Sequence, residues 1–254
     1  MTRPTVANLP IIAALFLAAI LLGLVGAGAM LRAEPGEASE PSSQAEEPAG
    51  ALQADEQPDE GLVRVGRLIY AGGKTSKCFA EGFLELADRH MDSNVSRHFQ
   101  GVELGSEDIF QFPFIVMTGE GRFTLSDDER ENLRAYLSRG GFLLASAGCS
   151  NEDWAKSFRR VFAELFPQQP LEELSTDHPM FHTLFDIDRI IASKGSSRGA
   201  LYGMSGNDRL SVVFSPLGLN DTANAGGGCC CCGGNEVRNA KEINANLVAY
   251  ALTH

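Results

Sequence analysis

Two uncharged apolar runs of strand length, FPFIVMTG at 112–119 and GFLLASAG at 141–148, flank one amphipathic segment. A strand with one wet face alternates apolar and polar residues. A continuous apolar run therefore belongs to a strand covered on both faces. The intervening SDDERENLRAYLSRGG predicts a helix: Ser126 and Glu129 have capping-box spacing, Leu133, Tyr136 and Leu137 form its apolar stripe, and Gly140 ends it. The same alternation extends both ways. VRVGRLIY (63–70) reads as a strand, and the following SKCFAEGFLELADRHM places Phe79, Phe83 and Leu86 at helical spacing. FQGVEL (99–104) reads as a short strand. After 148, Ser150 or Asn151 caps a helix with Trp154, Phe158, Val161, Phe162 and Leu165 on one face. Residues 198–216 read as a hairpin turning at Gly206-Asn207-Asp208, and a last helix runs from about Glu236, capped near Asn235, to Leu252. Ile243, Leu247 and Tyr250 form its inward side.

Strand and helix in alternation give an α/β chain with a mostly parallel sheet and right-handed crossovers. The expected architecture is a three-layer, flavodoxin-like sandwich. The expected strand order starts at 99–104 on one edge and continues through 63–70, 112–119, 141–148 and 209–215.

Residues 9–31 contain no charge and are long enough to span a bilayer as a helix, at ~1.5 Å per residue against ~30 Å of hydrocarbon. Residues 1–32 are thus expected to be a transmembrane anchor or a signal peptide. Arg3 precedes the run, and nine acidic residues with no Lys or Arg fill 33–60. That bias places the N-terminus in the cytoplasm and the rest outside it, as a single-pass protein of the cell membrane. Residues 33–61 lack aromatics and read as a disordered, extended linker. Residues 62–254 form the folded domain. Residues 61–254 carry 24 acids and 19 bases with no basic stripe, which argues against nucleic acid as a partner. The partner expected from the sequence is the membrane, through the N-terminal helix.

The six cysteines fall in three places: Cys78 after the first strand, Cys149 after the 141–148 strand, and Cys229, Cys230, Cys231 and Cys232 after the 209–215 strand. All lie at the carboxyl edge of the predicted sheet, where open α/β sheets bind ligands. All three places precede helices, whose N-termini favour thiolate. Cys229 and Cys232 have C-x-x-C spacing, so Cys78, Cys149 and the run could hold zinc, iron or copper. Disulfides, a nucleophilic Cys149, and glycine-cysteine drift in a loop remain as alternatives. His178 and His182 stand at i, i+4, the spacing of a metal-binding pair on a helix. Pro179 places His178 just before that helix, where it or Asp177 would instead cap a turn. Glu120 follows the 112–119 strand and points toward the same crevice.

The segments FPFIVMTGEGRFTLSDDERENLRAYLSRGGFLLAS, FRRVFAELFP, DHPMFH and RLSVVFSP resemble the bacterial domain of unknown function 4159. The resemblance covers roughly residues 62–254. It implies kinship with ThuA-like and class I glutamine amidotransferase-like domains, and it carries no established reaction. In the amidotransferase-like relatives a cysteine sits on a sharp strand-to-helix turn, with a His and a Glu later in the chain. SAGCSN places Cys149 on such a turn, with Asn151 where those relatives have glycine. No His-x-Glu follows the final strands.

Overall fold

The computed structural model describes residues 61–72, 74–75, 78–192, 199–206, 208–224 and 237–254. Its strands are β1 (Val63–Ile69), β2 (Lys74–Thr75), β3 (Val95–Glu103), β4 (Phe114–Glu120), β5 (Phe142–Ala147), β6 (Glu172–Glu173), β7 (Tyr202–Gly206) and β8 (Arg209–Ser215). Its helices are α1 (Gly82–His90), α2 (Asp127–Ser138), α3 (Glu152–Leu165) and α4 (Ala240–Thr253). The sheet order is β3-β1-β4-β5-β8-β7-β6, and β2 pairs separately with β4. The five strands from β3 to β8 are mutually parallel, as expected, and β7 and β6 add an antiparallel edge.

The two apolar runs are wholly buried because alternate residues serve opposite faces. Phe114, Val116, Phe142 and Leu144 pack with α1 and α4, while Ile115, Met117, Leu143 and Ala145 pack with α2 and α3. Helices therefore cover both faces of the sheet. α2 has the capping box: Ser126 Oγ accepts from Glu129 N, and Glu129 Oε2 accepts from Ser126 N at 2.7 Å. Asn151 is the cap of α3, accepting from Trp154 N at 2.9 Å.

Three boundaries differ from expectation. The first helix starts at Gly82, so Cys78 lies four residues ahead of it and outside the reach of its dipole. β3 begins at Val95 because β1 offers it a ladder along its length, from Val63↔Val95 to Ile69↔Glu103. The last helix begins at Ala240, with Asn239 before it; Glu236 and the expected cap Asn235 lie outside the described residues. The hairpin turn is where it was expected, with Asp208 at φ 60. The 9–31 run and the linker to residue 60 also lie outside the described residues. Among the described residues no helix is long and apolar enough to cross a membrane.

One feature of the sheet was not legible beforehand. β1 and β4 pair only from Val65↔Phe114 to Arg67↔Val116, and then separate. The chain leaving β1 folds back and pairs with the end of β4, Lys74↔Glu120 and Thr75↔Gly119. Tyr70 closes the split: its hydroxyl donates to the Thr118 carbonyl at 3.1 Å and accepts from Trp154 Nε1 at 2.7 Å. Burial pushes the Tyr70 hydroxyl up to about 12, so it stays a neutral donor. Tyr70→Phe leaves a buried indole N–H without an acceptor and is expected to destabilise the fold by about 1–3 kcal/mol, read from the urea midpoint at unchanged m-value.

Candidate functional site

The loops leaving β1, β5 and β8 meet at the carboxyl edge. Ala80 N donates to Asn220 O at 2.9 Å, tying the segment after Cys78 to the loop after β8. Ser150 Oγ donates to Leu217 O at 2.6 Å, tying the turn after β5 to the same loop. Gly218 adopts φ 94 against Ala147, where a Cβ would come within 2.5 Å of the Ala147 carbonyl oxygen; only glycine allows that approach. Cys78 and Cys149 are thus on segments that dock on one loop. Cys229, Cys230, Cys231 and Cys232 lie outside the described residues.

Cys78 and Cys149 are both disulfide-bonded. Cys149 sits in a tight turn at φ 52, followed by Ser150 at φ 54, a left-handed pair unusual for side-chain-bearing residues. Glu120 Oε1 lies 3.7 Å from Cys149 Sγ, so the structure does bring Glu120 to that sulfur. An oxidised sulfur neither attacks an electrophile nor ligates a metal as thiolate. Both of those expectations concern the reduced protein.

The histidines lie elsewhere. The His178 ring lies tilted against Tyr250 (ring centroids 5.6 Å apart), and the Tyr250 hydroxyl accepts from Leu210 N at the start of β8. That is the amino edge, separated from Cys149 by the length of a strand, roughly 20 Å. His178 Nδ1 accepts from Met180 N at 3.2 Å, as the cap of a short 3-10 turn over Pro179–His182. His182 is bracketed by Asp186 Oδ1 at 3.1 Å and the Thr176 carbonyl at 2.8 Å. The pair therefore serves turn geometry, and the i, i+4 metal pairing does not form on a helical face. Among the described residues no group of three or more His, Cys, Asp or Glu is placed to hold a metal ion.

The sequence reading missed a buried polar row on the α1/α4 side of the sheet. Thr118, Ser146 and Ser215 stand at the carboxyl ends of β4, β5 and β8, in register with one another and fully buried. Asn220 and Asn244, also fully buried, close the row from the β8 loop and α4. Ser146 Oγ donates to Asn220 Oδ1 at 2.5 Å and accepts from Leu219 N at 2.8 Å. Asn244 Nδ2 donates to Leu219 O at 2.8 Å. Three polar atoms in the row have no partner among the described residues: Thr118 Oγ1, Asn220 Nδ2 and Asn244 Oδ1. Asp221, 3% exposed and at φ 49, follows directly and accepts twice from Asn224 Nδ2, at 2.9 and 3.0 Å. The available signal was GLND at 218–221, an Asn-Asp pair immediately beyond a buried strand.

A mostly parallel sheet with helices on both faces and buried polar groups at its carboxyl edge places the described residues in the α/β class. Within that class, the chain belongs to the family described as Domain of unknown function (DUF4159), which it matches over residues 64–252. No curated protein matches it.

Thr118→Val removes an unpartnered buried hydroxyl and is expected to stabilise the fold by about 1 kcal/mol. Ser146→Ala strands both Asn220 Oδ1 and Leu219 N, and a loss of about 2–4 kcal/mol is expected; chemical denaturation measures both. The histidines should titrate in opposite senses by NMR. Burial, reinforced by His254, lowers His178, while the hydrogen bond to Asp186 raises His182. His178 thus favours the folded state above the ordinary histidine range, and this contribution is lost as pH falls through its depressed value. His182 contributes below that range and loses its contribution as pH rises through its raised value.

Proposed function

We propose that this chain is an exported binding or assembly module without a cysteine-based reaction, anchored to the cell membrane by residues 9–31, with its α/β domain outside the cytoplasm. The observation that carries this reading is the oxidised state of Cys78 and Cys149. Disulfides persist in extracytoplasmic compartments and are rare in the cytosol. The direction agrees with the charge bias around the apolar run: Arg3 before it, nine acids after it. In this reading the disulfides brace the carboxyl-edge loops that the Asn220 and Ser150 contacts already hold together.

The strand order β3-β1-β4-β5-β8 is the doubly wound order 2-1-3-4-5 of flavodoxin-like, three-layer sandwiches when the parallel strands are counted along the chain. It supports the kinship with ThuA-like and class I glutamine amidotransferase-like domains. A second reading rests on the turn itself. The left-handed Cys149 beside Glu120, at the end of a buried strand, has the placement of a hydrolase or transferase nucleophile. That chemistry needs a reduced Cys149 and a base. Among the described residues no histidine hydrogen-bonds Cys149, and His178 stands at the opposite edge. A zinc, iron or copper ion held by thiolates does not fit the oxidised sulfurs.

Acid-quenched cells expressing the full chain, denatured without reductant and treated with a mass-tagged maleimide, test the reading. With two of the six cysteines blocked as disulfides, at most four should label. Labelling of all six would remove its basis. A periplasmic reporter fused after His254 should be active only if the domain is exported.

A further inference from the structure

The described residues of this acidic chain include a basic hollow. A solvent-open cavity of about 440 Å³ lies between the first half of α3 and the loop that follows β4. Asp153, Lys156 and Arg160 line it at i, i+3 and i+7, one stripe of α3 beside the buried stripe of Trp154 and Phe158. Arg122 and the backbone of Thr124 form the facing wall. That wall is held in place: Gly121 N donates to Asn151 Oδ1 at 3.0 Å, and Phe123 N donates to Ser157 Oγ at 3.3 Å. Gly72, from the loop after β1, completes the lining at φ 65, with Thr124 O only 3.1 Å from where its Cβ would be. The hollow is therefore built by the loops leaving β1 and β4, the strands that flank the reversal of sheet order. Open α/β sheets bind ligands at that reversal.

Three cationic side chains face this space against one carboxylate. Asp153 meets Arg122 at 3.6 Å, and Glu152 meets Lys156 at 3.1 Å from outside the hollow. Both pairs are solvent-exposed, so each is weak and open to exchange for a ligand oxygen. Arg160 Nη2 donates to the Phe123 carbonyl at 3.0 Å, which orients the guanidinium and leaves further N–H groups for an oxyanion. We propose that this hollow binds a small molecule bearing a multivalent oxyanion, either a phosphoryl or a polycarboxylate group, clamped by Arg122, Lys156 and Arg160.

Calorimetric titration of the full chain in detergent at low salt tests the proposal, with inorganic pyrophosphate in one arm and citrate in the other. Binding of at least one is expected, weakening as salt rises. The arm that binds more tightly identifies the source of the oxyanion. Arg122→Gln and Arg160→Gln should each weaken binding about tenfold, the loss of one charge-assisted hydrogen bond. Asp153→Asn should tighten it by removing the competing carboxylate. Absence of binding in both arms overturns the proposal, as does failure of either variant class to move the affinity in the stated direction. Among the described residues no cysteine lines the hollow, so this outcome and the thiol count stand or fall separately.

Discussion

The Ser146 hydroxyl, fully buried at the end of β5, joins that strand to the loop beyond β8 through Asn220 Oδ1 and Leu219 N. Asn220 in turn accepts from Ala80, and Leu219 O accepts from Asn244 of α4. One side chain thereby connects the loops after β1, β5 and β8 with the last helix. A buried hydroxyl that uses both donor and acceptor contributes stability; its neighbours in the row, with atoms left unpartnered, detract from it. The carboxyl edge is therefore the part of this domain where packing has been given up for polar groups.

The same edge is divided by the separation of β1 from β4. In a doubly wound sheet that separation creates the crevice where ligands enter. Here β2 and the Tyr70–Trp154 pair fill its centre, and two distinct features remain on either side. Toward α1 and α4 lie the segments bearing Cys78 and Cys149 and the polar row. Toward α3 lies the basic hollow. Each is formed by loops held rigidly by side-chain to backbone hydrogen bonds, the arrangement that lets an α/β scaffold vary its ligand without changing its core.

The core was legible because its signals are local. The apolar runs at 112–119 and 141–148, the Ser126–Glu129 box and the Trp154 to Leu165 stripe each carry their own periodicity, and the parallel order followed from them. The start of α4 was not legible, since apolar spacing continues ahead of Ala240 while the helix itself does not. The position of Cys78 shifted for the same reason: Phe79 packs into the core without being helical. The histidine spacing admitted two readings, a helical metal pair or a capped turn, and Pro179–His182 is a 3-10 turn that His178 caps.

From the sequence alone came the α/β class, the order of the parallel strands and the placement of Cys78 and Cys149 at the carboxyl edge. These follow from composition and periodicity, which need no knowledge of distant contacts. Only the tertiary structure decided that Ser146, Asn220 and Asn244 share one buried row, that β2 enters the split beside β4, and that Arg122 faces Lys156 and Arg160. Those juxtapositions join residues from 24 to 98 positions apart, and loop closure on that scale leaves no periodic trace in the chain.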